Sequence, residues 1–368
     1  MPAPETPVHS SLLRLVETYN NFEKTPDYWE FGYFKGDAWQ KLGLIRSQDA
    51  NLLQELKMPL KKYLSFLVST KVREPNRVQL DSAHLENSET FVNATKEIRQ
   101  ILSPKKDACE GKFGQSLWAD KEEMWPLYGT DIKTGFLCGL SPVFGIVTTG
   151  VHLNIYKRDG ASFRIWVARR SGKKSFAGMY DQCAAGGYQY KLMEPDIQQY
   201  GDSHDTSTKA CIEREVKEEL REGLREDWIN KIKGPHAIQY AYIRDARSGS
   251  LANTPELGVK IAYDLELNED PILDKFNTEE VKCIETKSVE QIVQLLLMDQ
   301  FKPNCALVMV DFLIRLGCLR ESVSSDAILS MKRMLNQHPA VEYLPHWKLG
   351  QETNMSRGGG GCHAERGL

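Results

Sequence analysis

The stretch that decides the fold is Arg214-Glu215-Val216-Lys217-Glu218-Glu219, which follows the glycine pair Gly186-Gly187. On a helix that turns about 100° per residue, the three glutamates share one arc and leave the aliphatic side chains on another. Carboxylates three and four residues apart repel each other, so the pattern weakens a helix unless a cation compensates it. Hard oxygen ligands suit Mg²⁺ or Mn²⁺. The stretch therefore predicts a helix with one metal-binding face and one core face.

A second interpretation of the same stretch is a solvated helix that carries mixed charges and binds nothing. Residues 213–222 contain enough acidic and basic side chains for such a helix. The metal-site interpretation gives Arg214 a role, because it lies four residues before Glu218 and can brace that carboxylate. The surrounding sequence favours the metal site.

The stretch resembles the core of the Nudix box, whose pattern is G-x(5)-E-x(7)-R-E-U-x-E-E-x-G-U, where U is an aliphatic residue. Every position of the R-E-U-x-E-E core is matched, by Arg214, Glu215, Val216, Glu218 and Glu219. Gly187 is similar to the opening glycine, and Gly186 precedes it as it often does in that family. The resemblance implies that these two glycines border the substrate.

The chain departs from the pattern between Gly187 and Arg214, where it is longer than the box allows. Residues 188–205 therefore resemble an insertion, and their polar, irregular composition predicts a surface loop beside the site. The early glutamate of the box has no single counterpart, since three residues compete for it: Glu194, Asp202 and Asp205.

The ends of the carboxylate helix are predicted from capping signals. Asp205 or Thr206 is expected to be its N-cap. The glycine expected just behind the box is displaced to Gly223, so the helix is expected to run about half a turn further. That extension would bring Glu222 round to the carboxylate face.

Resemblance to one Nudix subfamily, the thiamine pyrophosphokinase-related Nudix hydrolases, extends beyond the box. It runs in patches over residues 12–22, 144–156, 165–171, 263–267 and 301–308. It implies an α/β/α sandwich around a mixed sheet, preceded by a smaller α+β domain. The expected division is an accessory domain at 1–140, a Nudix domain at 141–320 and a C-terminal extension at 321–368 whose glycine-rich tail is disordered.

Periodicity independently predicts the same α/β class. Apolar residues alternate with polar ones from Val151 to Ile155, and residues 163–168 form a second strand after the turn signal at Gly160. Further strands are expected at 237–243 and 259–267, and helices at 289–298, 305–316 and 327–336. Asn304 is expected to cap the helix that follows it. Strands interleaved with helices predict a sheet between helical layers.

Composition limits the remaining classes of function. The chain has 368 residues, a formal net charge of -3 and eight cysteines without a C-x-x-C pair. These features give no sign of a nucleic-acid or membrane partner, or of a zinc site. No targeting segment is recognisable, so the expected location is cytoplasmic, with the nucleus open. The expected partner is a small-molecule diphosphate, and the protein is expected to be a monomer or homodimer.

The resemblance implies a metal-dependent hydrolysis of a diphosphate, with Mg²⁺ or Mn²⁺ held by Glu215, Glu218 and Glu219. Such ions neutralise the phosphate oxygens and lower the pKa of a bound water. The attacking water needs a base. Glu280 is the candidate, because residues 277–281 resemble the subfamily's D-G-E-V turn. The alternative for Glu280 is an ordinary exposed turn residue.

Three cations are further candidates for substrate binding. Arg169 and Arg170 come at the end of a predicted strand and have the fork geometry that binds phosphate. Neighbouring residues of a strand point to opposite faces, so at most one of the two arginines contacts the substrate directly. Lys302 lies in a subfamily patch. Solvated surface charge is the alternative for each, and His152 is expected to be a hydrogen-bonded sheet residue rather than a ligand.

The subfamily resemblance points to thiamine diphosphate or its oxidised analogues as substrate, cleaved to the monophosphate and phosphate. The organic ring is expected in a pocket formed partly by the N-terminal region. Hydrolysis of ADP-ribose, nucleotide sugars or dinucleotides, isomerisation of isopentenyl diphosphate, and binding without catalysis all stay open.

Overall fold

The computed structural model of the chain describes residues 7–22, 28–71, 74–102, 123–130, 132–190, 207–221, 224–271, 273 and 275–336. Its strands are β1 (Tyr28–Lys35), β2 (Ala38–Arg46), β3 (Leu64–Leu67), β4 (Arg77–Leu80), β5 (Met124–Pro126), β6 (Gly135–Leu137), β7 (Thr148–Asp159), β8 (Ser162–Arg170), β9 (Tyr180–Asp181), β10 (Ala184–Gly187), β11 (Lys233–Ile243), β12 (Pro255–Leu267) and β13 (Val281–Ser288). Its α-helices are α1 (Pro7–Thr18), α2 (Ser47–Glu55), α3 (Lys57–Leu60), α4 (Ser88–Leu102), α5 (Ser141–Phe144), α6 (Thr208–Leu220), α7 (Glu226–Ile229), α8 (Val289–Leu297), α9 (Pro303–Leu316) and α10 (Ser325–Asn336).

The central element is a seven-stranded mixed sheet. Five strands follow the order β11-β12-β7-β8-β13, while β10 pairs with β7 and β9 pairs with β8. β7 and β12 are parallel, and the other pairs of this sheet are antiparallel. The prediction of an α/β fold around a mixed sheet is confirmed.

Helices cover both faces of this sheet, because its central strands carry apolar residues on both sides. Val151 and Ile261 pack in one cluster with Ile212 and Val216 of α6. On the opposite face, α9 is buried along nearly its whole length and packs in a second cluster that includes Ala262. The alternation of a strand thus places α6 and α9 on opposite sides of β7 and β12.

The N-terminal region has its own sheet, with the order β2-β1-β4-β3, and a two-stranded β5-β6 ladder. A third cluster joins these strands to α4 through residues such as Phe31, Phe91 and Phe136. Helix α1 is different, because its buried Leu12 and Val16 pack in the α9 cluster. The division of the chain at residues 140 and 320 stays a prediction.

The two sheets meet along β5, β7 and β10. The Leu44 N–H donates to the Gly145 carbonyl at 3.1 Å, and Gly43 forms an isolated bridge to Ile146. The Tyr128 and Thr149 hydroxyls are 2.7 Å apart and share a hydrogen bond. These contacts fix the N-terminal region against the strands that carry the carboxylate helix.

Both predicted ends of the carboxylate helix were wrong. Helix α6 begins at Thr208 with Ser207 as N-cap, whose hydroxyl accepts from the Ala210 N–H at 3.1 Å. It ends at Leu220, because Arg221 adopts a left-handed φ of 50° that cannot continue a helix. Glu222 and Gly223 lie outside the described residues.

The predicted cap of α9 was also wrong. The helix begins at Pro303 after Lys302, and its N-cap makes no side-chain hydrogen bond. Proline suits the first turn, because its missing N–H would have no partner there. Asn304 is buried, and its side-chain amide donates to Glu256 at 3.3 Å.

Two other expectations concern parts of the chain that are not described. Most of the proposed insertion, residues 191–205, and the glycine-rich tail lie outside the described residues.

Among the helices that are described, none has the length and apolar character needed to cross a membrane.

Candidate functional site

The glycine strand β10 separates two environments. A methyl group on Gly186 would overlap the carboxylate of Glu215, whereas one on Gly187 would overlap the Trp125 ring. Successive residues of a strand point to opposite faces, so one side of β10 meets the carboxylate helix and the other meets the N-terminal region. Glycine is required at both positions, because each face is already filled to the backbone.

Arg214 holds the carboxylate helix against that strand. Its Nη1 lies 2.8 Å from Glu215 Oε1 and 2.9 Å from Glu218 Oε2, and its Nη2 donates to the Gly187 carbonyl at 3.2 Å. Glu215 is buried, while the Glu218 side chain is 56% exposed. Arg214 therefore braces Glu218, as the sequence predicted, and also fixes Glu215 beneath β10.

Glu219 lies in the same site, beside β10. Its Oε2 accepts a hydrogen bond from the Ala185 N–H at 3.0 Å. Burial, together with the nearby charges of Glu215 and Asp181, raises the pKa of this carboxyl well above its usual value. Several acidic groups thus share a buried space in which their charges repel each other.

The loop that carries Glu280 is attached to the end of the carboxylate helix. The Asn277 N–H donates to the Glu219 carbonyl at 2.9 Å, and the charge of Glu280 also raises the pKa of Glu219. The Glu280 side chain forms an ion pair with Lys174. The structure therefore brings Glu215, Glu219 and Glu280 together, although the loop is about 60 residues away along the chain.

This acidic group fits a hard divalent cation such as Mg²⁺. Its donors are carboxylate oxygens, and a cation among them would offset the repulsion that raises the pKa of Glu219. Glu218 lies at the solvent side and joins the group through Arg214. The three box glutamates do not form a tight cluster, since no trio of their oxygens lies within 4.8 Å in the described part of the chain.

A tight trio of possible ligands does occur elsewhere, in His152, Asp181 and Cys305, whose atoms lie within 4.8 Å of one another. The Cys305 thiol donates to Asp181 Oδ1 at 2.8 Å, and Arg170 Nη1 lies 2.6 Å from Asp181 Oδ2. Burial and the charge of Asp181 raise the pKa of this thiol well above its usual value. The thiol and Arg170 satisfy Asp181, so these residues form a hydrogen-bonded core.

His152 is part of that core. Its Nδ1 lies 2.8 Å from Gln182 Oε1, and the Gln182 amide donates to the Cys305 carbonyl at 3.0 Å. Burial lowers the pKa of His152 to about 3, so its ring is neutral. The prediction of a hydrogen-bonded sheet histidine is confirmed.

A cavity of about 360 Å³ lies between β10 and the N-terminal region. Ala185, Gly186 and Gly187 form one wall, and Trp125 and Pro142 belong to the opposite one. Its volume is in the range of pockets that hold small organic ligands. The pocket expected between the two regions is present, and the carboxylate helix lies directly behind its glycine wall.

The far end of the cavity is polar. Glu256 accepts hydrogen bonds from Tyr240 at 2.5 Å, Arg244 at 2.8 Å and Asn304 at 3.3 Å. Burial alone would raise the pKa of Glu256, but Arg244 and Lys260 lower it. Glu256 is therefore an ionised carboxylate that holds Arg244 and Asn304 in place at the cavity lining.

The three candidate cations have different positions. Arg169 donates to Glu285 at 3.2 Å and to the Gly178 carbonyl at 2.9 Å, and it is not part of the cavity lining. Arg170 pairs with Asp181 beside the acidic group. Lys302 lines the cavity. The two arginines do have different partners, and Lys302 has the most direct access to a substrate.

Sequence reasoning missed Trp125, Asp181, Arg244, Glu256 and Lys260. Lys260 had a detectable signal, because it interrupts an otherwise apolar stretch between Val259 and Ile261. A lysine in such a run is buried, and a buried lysine requires a reason. The others come from separate segments that only the fold brings together.

Two curated proteins are similar in sequence to about half of this chain. The chain is 34% identical over 206 residues to an uncharacterised protein of Saccharomyces cerevisiae, covering 54% of this chain and 55% of that protein. It is 31% identical over 193 residues to Nudix hydrolase 20, chloroplastic, of Arabidopsis thaliana, covering 50% of this chain and 43% of that protein. No family model matches the chain.

Parts of the chain are also similar to solved structures. The Ap4A hydrolase of C. elegans matches at 11% identity with a TM-score of 0.27, over 46% of this chain and 99% of that one. The NUDIX domain of NrtR from Shewanella oneidensis matches at 12% identity with a TM-score of 0.26, over 41% and 79%.

The sequence relatives support a place for this chain in the Nudix hydrolase superfamily. The chain spans about half the length of the curated relatives it matches. The activities and substrates of those relatives are therefore stated of them and not of this chain.

Proposed function

We propose that this protein is a divalent-metal-dependent hydrolase that cleaves the diphosphate of a small organic molecule. The observation that carries the proposal is the contact across β10. Glu215 lies against one face of Gly186, and the same strand forms a wall of the 360 Å³ cavity. The carboxylates of α6 are not part of the cavity lining, so a substrate held in the cavity would reach them with its diphosphate past the edge of β10.

The residues that would hold Mg²⁺ or Mn²⁺ are Glu215 and Glu219, with Glu218 at the solvent side. Such an ion supplies charge neutralisation for the phosphate oxygens and lowers the pKa of a bound water. Arg214 keeps Glu215 and Glu218 in position. Glu280 is our candidate for the base, because its loop is fixed to the end of α6.

The glycines of β10 have a second role in this proposal. Without a Cβ, Gly187 lets the Trp125 ring pack directly on the backbone of β10, which positions this ring at the cavity wall. Lys302 lines the same cavity and offers positive charge to the phosphate oxygens.

For the substrate, we favour an oxidised analogue of thiamine diphosphate over thiamine diphosphate itself. The motif resemblance supports the thiamine subfamily. The cavity supports the preference, because Arg244, Lys260 and Lys302 line it against two acidic residues, Glu123 and Glu256. A cationic thiazolium ring would meet this positive excess as it loses its hydration, whereas the corresponding ring of oxothiamine carries no charge and avoids that cost. ADP-ribose, nucleotide sugars and dinucleotides are the alternative substrates.

The test is a hydrolysis screen of purified protein with Mg²⁺ and with chelator. The panel contains thiamine diphosphate, oxothiamine and oxythiamine diphosphate, ADP-ribose, nucleoside diphosphates and dinucleotides. We expect hydrolysis only with the metal, and a higher kcat/KM for the oxidised analogues than for thiamine diphosphate. A clear preference for ADP-ribose or a dinucleotide would overturn the substrate proposal, and full activity in chelator would overturn the metal proposal.

A further inference from the structure

Lys260 occupies an unusual position in the central sheet. It lies in β12 directly beside Gly150 of β7, and Gly150 in turn lies beside Gly187 of β10. Residues that are paired across strands point to the same face of a sheet. The Lys260 side chain therefore lies on the cavity face, next to the glycine wall, and the space above Gly150 accommodates its ammonium group.

This ammonium group is buried without a direct hydrogen bond or ion pair among the described residues, and the carboxylate whose charge favours it is Glu256. Only 8% of the residue is exposed, and Lys260 lines the cavity. Within the described residues it makes no hydrogen bond or ion pair, and its one ring contact is to Tyr240, whose centroid lies 5.9 Å from Nζ. Buried charges in proteins are nearly always paired, because an unpaired one forfeits its hydration. Burial lowers the pKa of Lys260 to about 8.

Lys302 adds a second ammonium group to the same lining. It is half-buried and, across the described part of the chain, its side chain makes no hydrogen bond or ion pair. Lys302 is close enough to Lys260 for its charge to contribute to the lowered pKa of Lys260. Glu256, whose charge acts on Lys260, already accepts four hydrogen bonds from its own neighbours.

We infer that Lys260 and Lys302 form an oxyanion subsite in the cavity, which binds a phosphate group of the ligand separately from the metal-binding carboxylates. Two adjacent ammonium groups that lack partners gain most from a ligand with several anionic oxygens. The inference deepens the proposed function and rests on it for the choice of phosphate. The phosphate is either the terminal one of the diphosphate or a further one on the organic moiety.

The experiment measures binding without turnover. Inorganic diphosphate is titrated calorimetrically into the full-length protein in the presence of chelator, which removes hydrolysis from the readout. We expect binding by the wild-type protein and a dissociation constant about ten- to a hundredfold higher for Lys260→Met, the range expected when a charged hydrogen bond is lost. Methionine keeps the length of the side chain and removes its charge.

Two control variants separate this site from its surroundings. Lys209→Met removes a surface lysine of α6 that pairs with Glu213 at 3.8 Å, and binding should be unchanged. Glu219→Gln removes a metal-binding carboxylate, and diphosphate should bind at least as tightly as in the wild type. Thermal unfolding checks the fold of Lys260→Met, whose Tm should equal or exceed that of the wild type. If Lys260→Met does not fold, Lys302→Met serves as the test variant.

The source of the phosphate is decided in the same assay. A nucleoside diphosphate is compared with the same molecule carrying one additional phosphate. Equal weakening of both by Lys260→Met assigns the subsite to the terminal phosphate, and weakening confined to the second molecule assigns it to the further phosphate. No binding of inorganic diphosphate to the wild type, or equal binding to Lys260→Met, overturns the subsite. Binding without any hydrolysis in the metal screen overturns only the proposed function.

Discussion

Glu219 shows how a single residue can be unfavourable for the fold and useful for the site. Its carboxyl is buried near Glu215 and Asp181, and its pKa is raised well above the usual value. Between the unfolded and folded pKa values, the folded state binds more protons than the unfolded state. The free energy of unfolding therefore falls as the pH rises through that window. A bound cation would offset the repulsion between the carboxylates and so remove this loss of stability.

The corresponding prediction concerns Glu219→Gln. Glutamine can still accept from the Ala185 N–H but carries no charge, so the metal-free variant should be more stable at neutral pH than the wild type. It should also lose the rise in Tm that Mg²⁺ gives the wild type, and its kcat should fall by orders of magnitude. Thermal unfolding with and without Mg²⁺ over a pH series, together with steady-state kinetics, measures all three effects.

Glu213→Gln is the matched control on the same helix, since Glu213 pairs only loosely with Lys209, at 3.8 Å. It should retain both the Mg²⁺ response and the turnover. A Glu219→Gln protein that keeps the wild-type turnover would contradict the metal site.

At the scale of the element, β10 matters because it has no side chains at its two glycines. Gly186 contacts the Glu215 carboxylate and Gly187 contacts the Trp125 ring, so any Cβ must displace one of them. The strand is only four residues long, yet it joins the carboxylate helix to the cavity.

We predict that Gly186→Ala displaces Glu215 and thereby reduces activity. The cost to stability should be roughly 1–3 kcal/mol, the usual range for overpacking, and kcat should fall more than KM rises. Gly172→Ala is the control, because a methyl group there would meet nothing within 4 Å. Kinetics and denaturant unfolding of both variants give the comparison. Wild-type kcat in Gly186→Ala would show that the position of Glu215 is not critical.

At the scale of the whole molecule, the cavity exists only because the N-terminal region closes it. Trp125 comes from β5 and lies against Gly187 of the central sheet. Under the proposed function, this arrangement gives the N-terminal region a role in ligand choice rather than in the metal chemistry.

We predict that Trp125→Ala raises KM several-fold and leaves kcat within about twofold, the behaviour expected when binding is lost equally from the ground and transition states. Trp39→Ala is the matched control, since Trp39 packs against Phe34 and Arg77 within the N-terminal sheet. Unchanged KM in Trp125→Ala, or an equal rise in Trp39→Ala, would remove the N-terminal region from substrate binding.

The sequence by itself determined the α/β class, most strands and helices, and the residues of the carboxylate helix. Those features follow from local periodicity and from one dense motif, whose spacing alone fixes which side chains share a face. The ends of α6 and the capping role of Asn304 were wrong, because caps depend on backbone angles and competing partners. Asn304 donates to Glu256 instead of capping its own helix.

Only the tertiary structure decided which residues meet. Asp181, Lys260 and Trp125 come from different strands, and of the three only Lys260 stands out in its own segment. Their proximity depends on the order of strands in the sheet and on how the N-terminal region docks against it. Local sequence does not encode that proximity, because side chains far apart in the chain come into contact only after the core between them has packed.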